Sequence, residues 1–166
     1  ALQVQGSGHP SSNTRQGAVD VQVFGIVPLE SLSWPPDLLG HDGVFRAHGP
    51  NTYGAMDDRD ALQKWFATLS EKSPATQDSY RRSVERLFLW AIVERRCSLS
   101  SLNTLDFTVF RDFLRDPPAH WCSRLPALRY SDDWRPLRGP MADASVQATM
   151  SAVATLFGDL TACGYL

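Results

Sequence analysis

Apolar residues recur at helical spacing in two consecutive stretches near the middle of the chain. The first stretch follows Asp57-Asp58 and extends to about Ser70, and its acidic start is typical of the first turn of a helix. The second begins at Ser73-Pro74, where a hydroxyl can cap the helix and proline takes the first helical position, and it extends to about residue 96. We predict two amphipathic helices, with apolar stripes formed by Leu62, Trp65, Phe66 and Leu69 in the first and by Tyr80, Val84, Leu87, Phe88, Ala91 and Ile92 in the second.

Two further helices are predicted towards the end of the chain. The third opens at Thr104 and must end before Pro117, because proline removes a helical hydrogen bond and restricts the residue before it. The fourth begins at Asp143 or Ala144, and Gly164 closes it as a C-cap. Strand patterns are absent from this part of the sequence, so we predict an all-α domain in which four helices share one core.

The chain before these helices has a different character. Residues 1–55 are rich in Gly, Ser, Asn and Pro and keep no helical period, so we predict a mostly irregular arm, with the helical domain over residues 56–166. The segment 19–27 alternates loosely, but one isolated strand would have no partner, and a loop is the better interpretation. The arm is more apolar than a free linker needs, and we expect part of it to pack on the helices through Leu29, Leu32, Trp34, Leu38, Leu39 and Phe45.

Length and composition exclude several classes of protein. The 166 residues are 43% apolar and 20% charged, which is typical of one globular domain and not of a disordered chain. No apolar run approaches the roughly 20 residues of a membrane-spanning helix, and the start of the chain lacks the pattern of a signal peptide. We therefore expect a soluble, cytoplasmic protein. Its three cysteines, Cys97, Cys122 and Cys163, are too widely spaced for a disulfide framework or paired metal knuckles, so we expect free thiols. Because the chain begins with Ala and stops at Leu166, we expect it to be a piece of a longer protein.

The net charge of −2 conceals an uneven distribution. The formal charge is −4 over residues 1–71, +4 over residues 72–138 and −2 over residues 139–166. All but one of the basic residues in the central part are arginines, which can make forked contacts with a phosphate or a guanine edge. The alternative is that these arginines only form a solvated surface.

Two helix faces are candidates for binding. The outward face of the second predicted helix carries arginines, small hydroxyls and an amide, which have the right chemistry to enter the major groove of DNA. Its residues are Gln77, Ser79, Arg82, Ser83 and Arg86. The corresponding face of the fourth helix is small and almost uncharged, which lets it lie close to another helix or to the floor of a groove. Its residues are Ser145, Gln147, Ala148, Thr149, Ser151 and Ala152.

Residues 117–140, here called the long loop, interleave aromatic side chains with arginines. They include Trp121, Arg124, Arg129, Tyr130, Trp134, Arg135 and Arg138. Such a combination can clamp a phosphate backbone or stack on bases. The alternative is that the two tryptophans are lids on the core while the arginines lie along the surface.

Residues that would form a catalytic or metal site are not found together in the sequence. The four histidines have no second ligand pair at metal spacing, and the chain has no phosphate-binding Gly-Lys-Ser/Thr loop, dinucleotide fingerprint or nucleophile elbow. We therefore predict no catalytic residues, no metal, no cofactor and no small-molecule substrate. A small enzyme that uses His120 and Cys122 is a minor alternative.

A resemblance to a known family follows from four segments in order. Residues 73–90, SPATQDSYRRSVERLFLW, resemble the opening of the core-binding domain of tyrosine recombinases, the phage-integrase family. Residues 101–106 resemble the family's loop into its third helix, and residues 134–141, WRPLRGPM, resemble the segment before its fourth. Residues 156–166 are similar to the end of that helix.

The resemblance implies an orthogonal, SAM-like four-helix bundle that clamps double-stranded DNA with its second and fourth helices. The DNA-binding residues it implies are Lys72, Thr76, Ser79, Arg82, Ser83, Arg86, Arg129, Arg135, Arg138, Ser145, Gln147, Ala148 and Ser151. It also implies contacts with other recombinase protomers on DNA, a bacterial or phage-encoded parent, and a role in DNA integration and recombination. The catalytic domain of the family would follow this chain, so Tyr165 is not expected to be its nucleophile.

A helical protein-interaction module is the alternative function. In that case the small-residue face of the fourth helix, or the apolar residues between Phe107 and Leu114, would dock a partner helix. DNA binding predicts a steep dependence of affinity on salt, whereas apolar helix docking predicts almost none.

Overall fold

The computed structural model describes residues 25–166. Predictions for residues 1–24, including most of the loosely alternating segment 19–27, concern residues outside this description. Four α-helices form the architecture: α1 (Asp58–Thr68), α2 (Pro74–Leu89), α3 (Thr104–Arg115) and α4 (Asp143–Ala162). Over residues 25–166 there is no β-strand, and the predicted all-α fold with four helices is confirmed.

Local capping residues determine where the helices begin. Asp57 accepts a hydrogen bond from the backbone N–H of Asp60 at 2.8 Å, which satisfies a free donor of the first turn of α1. Ser73 caps α2 in the same way, with Pro74 at its first position. At the start of α3 the side chains of Asn103 and Asp106 bond reciprocally to each other's backbone N–H groups and form a capping box.

The ends of α2 and α4 are equally well defined. After Leu89, α2 continues as a π-helical segment, Trp90–Arg95, and ends at Arg96, whose φ of 52° is left-handed. Helix α4 ends at Ala162 with Cys163 as its C-cap, and the next residue, Gly164, has a left-handed φ of 82° that allows the N–H of Tyr165 to bond the carbonyl of Leu160 at 2.9 Å. Both endpoints agree with the sequence predictions.

The core lies between the four helices, with the most extensive helix contact between α2 and α4. Its largest fully buried side chains are Trp65, Phe88, Phe110, Trp121 and Tyr165. The indole N–H of Trp65 donates to Asp159 at 2.8 Å, which joins α1 to α4 without leaving the ring nitrogen unsatisfied. This packing places the outer sides of α2 and α4 next to each other.

The described part of the arm, residues 25–55, runs across the bundle and is fastened to it. Trp34 packs edge-on against Phe88 of α2 with ring centroids 5.4 Å apart. Further along, the backbone N–H groups of Phe45 and Thr52 donate to the carbonyls of Ser100 and Cys163, each at 2.8 Å. These bonds connect the arm first to α2, then to the segment before α3, and finally to the end of α4.

A buried carboxylate holds this arrangement together. Asp58 accepts hydrogen bonds from the N–H and hydroxyl of Ser100, each at 3.0 Å, and from the hydroxyl of Tyr165 at 2.5 Å. Burial raises the pKa of Asp58, and the Tyr165 and Ser100 donors act against that rise. Gly40 passes so close that a Cβ there would lie 2.2 Å from the carboxylate. Tyr165 therefore anchors the end of the chain in the core.

Within residues 25–166, no helix combines the length and the apolar character needed to cross a membrane.

Candidate nucleic-acid interface

The outer sides of α2 and α4 and the inner side of the long loop enclose a groove of about 700 Å³, here called the arginine groove. Most of the residues that the sequence predicts for DNA binding line it. They are Ser79, Arg82, Ser83, Arg86, Arg129, Arg135, Arg138, Ser145 and Ala148. Residues from three separate parts of the chain therefore meet on one surface.

The other four predicted residues lie outside the groove lining. Lys72 places its ammonium group over the ring of Tyr80, 5.6 Å from the centroid, before α2 begins. Thr76 shares a hydrogen bond of 2.8 Å with the hydroxyl of Ser73 at the N-terminus of the same helix. Gln147 and Ser151 are exposed on α4.

The positive charge of the groove comes from Arg82, Arg86, Arg135 and Arg138, none of which forms an ion pair among residues 25–166. Arg82 and Arg138 are exposed and have no ion-pair partner among the described residues. Arg86 is half-buried, and its Nε donates to the carbonyl of Pro136 at 3.3 Å. Burial, followed by the neighbouring charge of Arg82, lowers the pKa of Arg86. An anion placed between Arg82 and Arg86 would relieve this repulsion.

The helical pattern predicts Ser83 on the outward face of α2, and this prediction is wrong. Only 4% of the residue is exposed, and it forms part of the floor of the arginine groove. Helix α2 packs along α4 on this side, so a small hydroxyl side chain is covered while longer arginines beside it reach the surface. Thr149 of α4, predicted on the small face, is buried for the same reason.

Arg129 is predicted to contact a DNA backbone, but its guanidinium lies between two carboxylates. It bonds both oxygens of Glu30, at 2.7 Å each, and both oxygens of Glu85, at 3.2 and 2.5 Å. Glu85 also accepts a hydrogen bond of 3.0 Å from the N–H of Leu29. We call Glu30, Glu85 and Arg129 the acidic clamp; it ties the arm and the long loop to α2.

Hydrogen bonds in the acidic clamp shift the pKa values of Glu30 and Arg129. The hydrogen bonds from Arg129 lower the pKa of Glu30 to about 2, against partial desolvation that acts in the other direction. The bonds from Glu30 and Glu85 raise the pKa of Arg129 above its ordinary value. Glu85 is the only one of the three side chains that is almost fully buried, with 6% of its side chain exposed. Its carboxylate in the groove is thus neutralised by Arg129.

Arg135, also predicted as a backbone contact, is used to hold the long loop together. Its guanidinium donates to the carbonyls of His120 and Asp132 at 2.8 Å and to that of Trp134 at 2.6 Å. These bonds link both ends of the loop, next to a bridge in which the N–H of Ser123 donates to Leu137 at 2.8 Å. Of the three loop arginines predicted for DNA, only Arg138 has a guanidinium without a hydrogen-bond or ion-pair partner among residues 25–166.

The positions of Trp121 and Trp134 favour the alternative in which the tryptophans of the long loop cover the core and do not stack on bases. Trp121 is fully buried, packs edge-on against Phe113 with centroids 5.2 Å apart, and donates its indole N–H to Glu94 at 2.5 Å. Trp134 is partly buried under the guanidinium of Arg129, which lies 5.3 Å from the ring centroid. Trp121 is a lid on the core, and neither ring is an open platform for a base.

The geometry gives little support to chemistry at His120 and Cys122. Burial raises the pKa of the Cys122 thiol, so the reactive thiolate is disfavoured, and only the Arg124 charge acts in the other direction. His120 lies 3.4 Å from Glu94, which the indole of Trp121 already occupies. Over residues 25–166, no group of three or more His, Cys, Asp and Glu side chains is arranged to hold a metal ion.

The acidic clamp is the main feature that sequence reasoning missed. Glu30 belongs to the arm and Glu85 follows Val84 of the apolar stripe, and no spacing in the sequence connects either of them with Arg129. The only sequence signal for a buried Glu85 is its position beside the apolar stripe of α2. Charged residues are common at such positions on solvated helices, so this signal does not predict an ion pair.

A scan of the chain against protein-family models, a search of curated proteins and a search of solved structures each find no match.

Proposed function

We propose that the chain binds double-stranded DNA through the arginine groove, as the core-binding domain of a site-specific tyrosine recombinase of the phage-integrase family. In this proposal it works inside a bacterial cell, in DNA integration and recombination, and the cleavage chemistry belongs to another domain of the parent protein. The observation that carries the proposal is the meeting of Arg82, Arg86 and Arg138 in one groove between α2, α4 and the long loop.

The charge balance of the groove supports an anionic ligand. Arg82 and Arg138 are exposed and free of ion pairs among residues 25–166, and each can reach a phosphate with little cost in broken contacts. Among the described residues, Glu85 is the one acidic side chain that lines the groove, and because it is paired with Arg129 it does not repel a phosphate strongly. If the arginines only formed a solvated surface, there would be no need for the charge of Glu85 to be neutralised by Arg129.

The shape of the groove supports a close approach of the ligand. Ser145 and Ala148 of α4 are exposed and small, and Ser79 faces them from α2 across the groove. Helix faces of this kind allow a nucleic-acid backbone or groove edge to come near the helix backbone. We assign phosphate and base-edge contacts to Arg82 and Arg138, a supporting contact to Arg86, and outer phosphate contacts to Lys72 and Thr76 at the start of α2. Arg129 and Arg135 position the long loop.

The test is fluorescence-anisotropy binding of a labelled random-sequence duplex at several salt concentrations. We expect weak binding whose affinity falls with salt, and the double variant Arg82→Ala/Arg138→Ala should lower the slope of log affinity against log salt by about 1.8, or 0.9 per lost phosphate contact. The charge-matched control for each of the single variants Arg82→Ala and Arg138→Ala is Arg59→Ala, an exposed arginine of α1 outside the groove lining. Because Arg59 makes no contact in the groove, the slope and the affinity of this variant should stay near those of the wild type.

Two outcomes would contradict the proposal. The first is no binding by the wild type at low salt. The second is an equal loss of affinity in Arg82→Ala and Arg59→Ala, which would mean that only net charge matters. A partner protein bound with little dependence on salt would favour the helical interaction module instead.

A further inference from the structure

The tip of the long loop exposes apolar side chains beside the arginine groove. Leu125 and Leu128 are 78% and 82% exposed, although the core lies close enough to bury Leu137 of the same loop. Leu125 lines the arginine groove together with Arg82 and Arg138. The preceding residue, Arg124, is exposed and has no ion pair among the described residues.

The loop holds these leucines away from the core by specific bonds. Ser123 is fixed to the far side of the loop by its N–H, which donates to Leu137, and by its hydroxyl, which donates to Asp133 at 2.9 Å. On the other side of the tip, Ser131 donates both its N–H and its hydroxyl to the carbonyl of Leu128, at 3.0 and 2.8 Å. Arg129 is held by the acidic clamp. The leucines are therefore presented on an ordered loop.

An ordered loop that exposes leucines beside Arg124 and the arginines of the groove fits one kind of partner well. Proteins that bend DNA insert leucine and similar side chains between base steps, while neighbouring arginines hold the phosphates on each side. A protein partner would need an apolar patch for the tip and, around it, acidic side chains placed to match Arg82, Arg124 and Arg138, whereas a duplex presents a phosphate to each of them at a regular spacing. The arginines on the groove side of the tip therefore favour DNA as the ligand.

We propose that Leu125 and Leu128 form a wedge that enters the base stack at the edge of the DNA segment held in the arginine groove, opens one base step and bends the duplex. This inference rests on the proposed DNA binding and adds to it the residues that deform the ligand. Binding should then prefer sequences with an easily opened pyrimidine–purine step near the tip of the loop.

The experiment uses the whole chain and a short duplex whose one flexible TA step lies at its centre, with 2-aminopurine at that step and a donor–acceptor dye pair at the ends. We expect the wild type to increase both 2-aminopurine fluorescence and energy transfer. The Leu125→Ser/Leu128→Ser variant should lose both signals and about tenfold in affinity, and it should keep the salt slope of the wild type. Loss of both signals with an unchanged slope separates the wedge from the phosphate contacts.

The matched control is Met56→Ser/Leu105→Ser, which removes apolar side chains that are 77% and 64% exposed elsewhere on the chain. It should keep both signals. All these positions are exposed, so a thermal melt of each variant should coincide with that of the wild type and exclude misfolding.

Three results would overturn the wedge and are distinguishable. If the wild type binds with the expected salt slope but neither signal changes, DNA binding stands and the wedge is wrong. If the wild type does not bind the duplex at low salt, both proposals fail. If the chain dimerises and the Leu125→Ser/Leu128→Ser variant does not, the leucines belong to an interface between copies.

Discussion

Replacing Arg129 by methionine should destabilise the fold much more than replacing an exposed arginine of the same loop. Arg129 neutralises Glu85, whose side chain is 6% exposed, and it also pairs with Glu30, whose side chain is 47% exposed. Methionine keeps most of the apolar contact that the arginine stem makes, so the change isolates the loss of the guanidinium. After the change, Glu85 remains as a buried carboxylate with only the N–H of Leu29 as a donor.

The expected size follows from the burial of each partner. Removing one partner of a buried ion pair costs about 3–5 kcal/mol, because the remaining charge stays in a poorly solvated place. Arg129 itself is 39% exposed, so water already screens part of the interaction and the lower end of that range applies. The contact with Glu30 is largely exposed and adds less than about 1 kcal/mol. We therefore expect Arg129→Met to lower the free energy of unfolding by about 3 kcal/mol.

A double-mutant cycle tests the cause of that loss. Glu85→Gln removes the buried charge but keeps an oxygen that accepts from the N–H of Leu29. The variant Arg129→Met/Glu85→Gln should therefore be more stable than Arg129→Met alone, with a coupling of about 2 kcal/mol. The measurement is urea denaturation at neutral pH, followed by the fluorescence of the buried tryptophans.

The control is Arg124→Met, at an exposed loop position without an ion pair among the described residues, and it should change stability by less than about 0.5 kcal/mol. If Arg129→Met costs no more than Arg124→Met, the acidic clamp does not stabilise the fold. If the double variant loses the sum of the two single losses, the loss does not arise from an unpaired Glu85.

Three other predictions concern ionisation and close packing. Because the pKa of Glu30 is lowered from 4.5 to about 2 in the folded chain, its contribution is present above pH 4.5 and is lost as the pH falls towards 2. The stability difference between wild type and Glu30→Gln, measured by denaturation across this range, should therefore shrink with acid, and a constant difference would contradict the clamp geometry. Gly40→Ala should lower the free energy of unfolding by about 2 kcal/mol or more, measured by thermal denaturation, because φ is +74° and the new Cβ would meet Asp58. The control Gly49→Ala, where φ is +118° and no atom lies within 4 Å of the new Cβ, should lower it less, and equal losses would refute the close approach at Gly40. Tyr165→Phe removes a donor to the buried Asp58 and should cost about 1–3 kcal/mol at neutral pH; a loss that does not diminish when acid protonates Asp58 would argue against that hydrogen bond.

The helices were predictable from the sequence because their causes are local. The cap of α2 depends on Ser73, Pro74 and Thr76, which lie within four positions of one another, and the end of α4 depends on one glycine. The apolar stripes likewise repeat within two turns. Helix type and helix bounds, and with them the all-α fold, could therefore be predicted without any knowledge of tertiary contacts.

The candidate site was predictable only in part. The sequence indicated the face of α2 with Arg82 and Arg86, because a face follows from helical periodicity. It could not show that Ser83, one position from Arg82, would be covered, since covering depends on how α2 packs along α4. It also gave no reason to separate Arg129 and Arg135 from Arg138, as all three are arginines in one loop.

What only the tertiary structure decided is which arginines are free. Arg129 meets Glu85 and Glu30, which are 44 and 99 positions away in the chain, and no local pattern records an attraction between residues so far apart. The sequence by itself determined four helices and a central excess of arginine. The fold then used Arg129 and Arg135 to hold the long loop and left Arg82 and Arg138 exposed, because the buried carboxylate of Glu85 must be paired and the carbonyls of the folded loop accept from the guanidinium beside them.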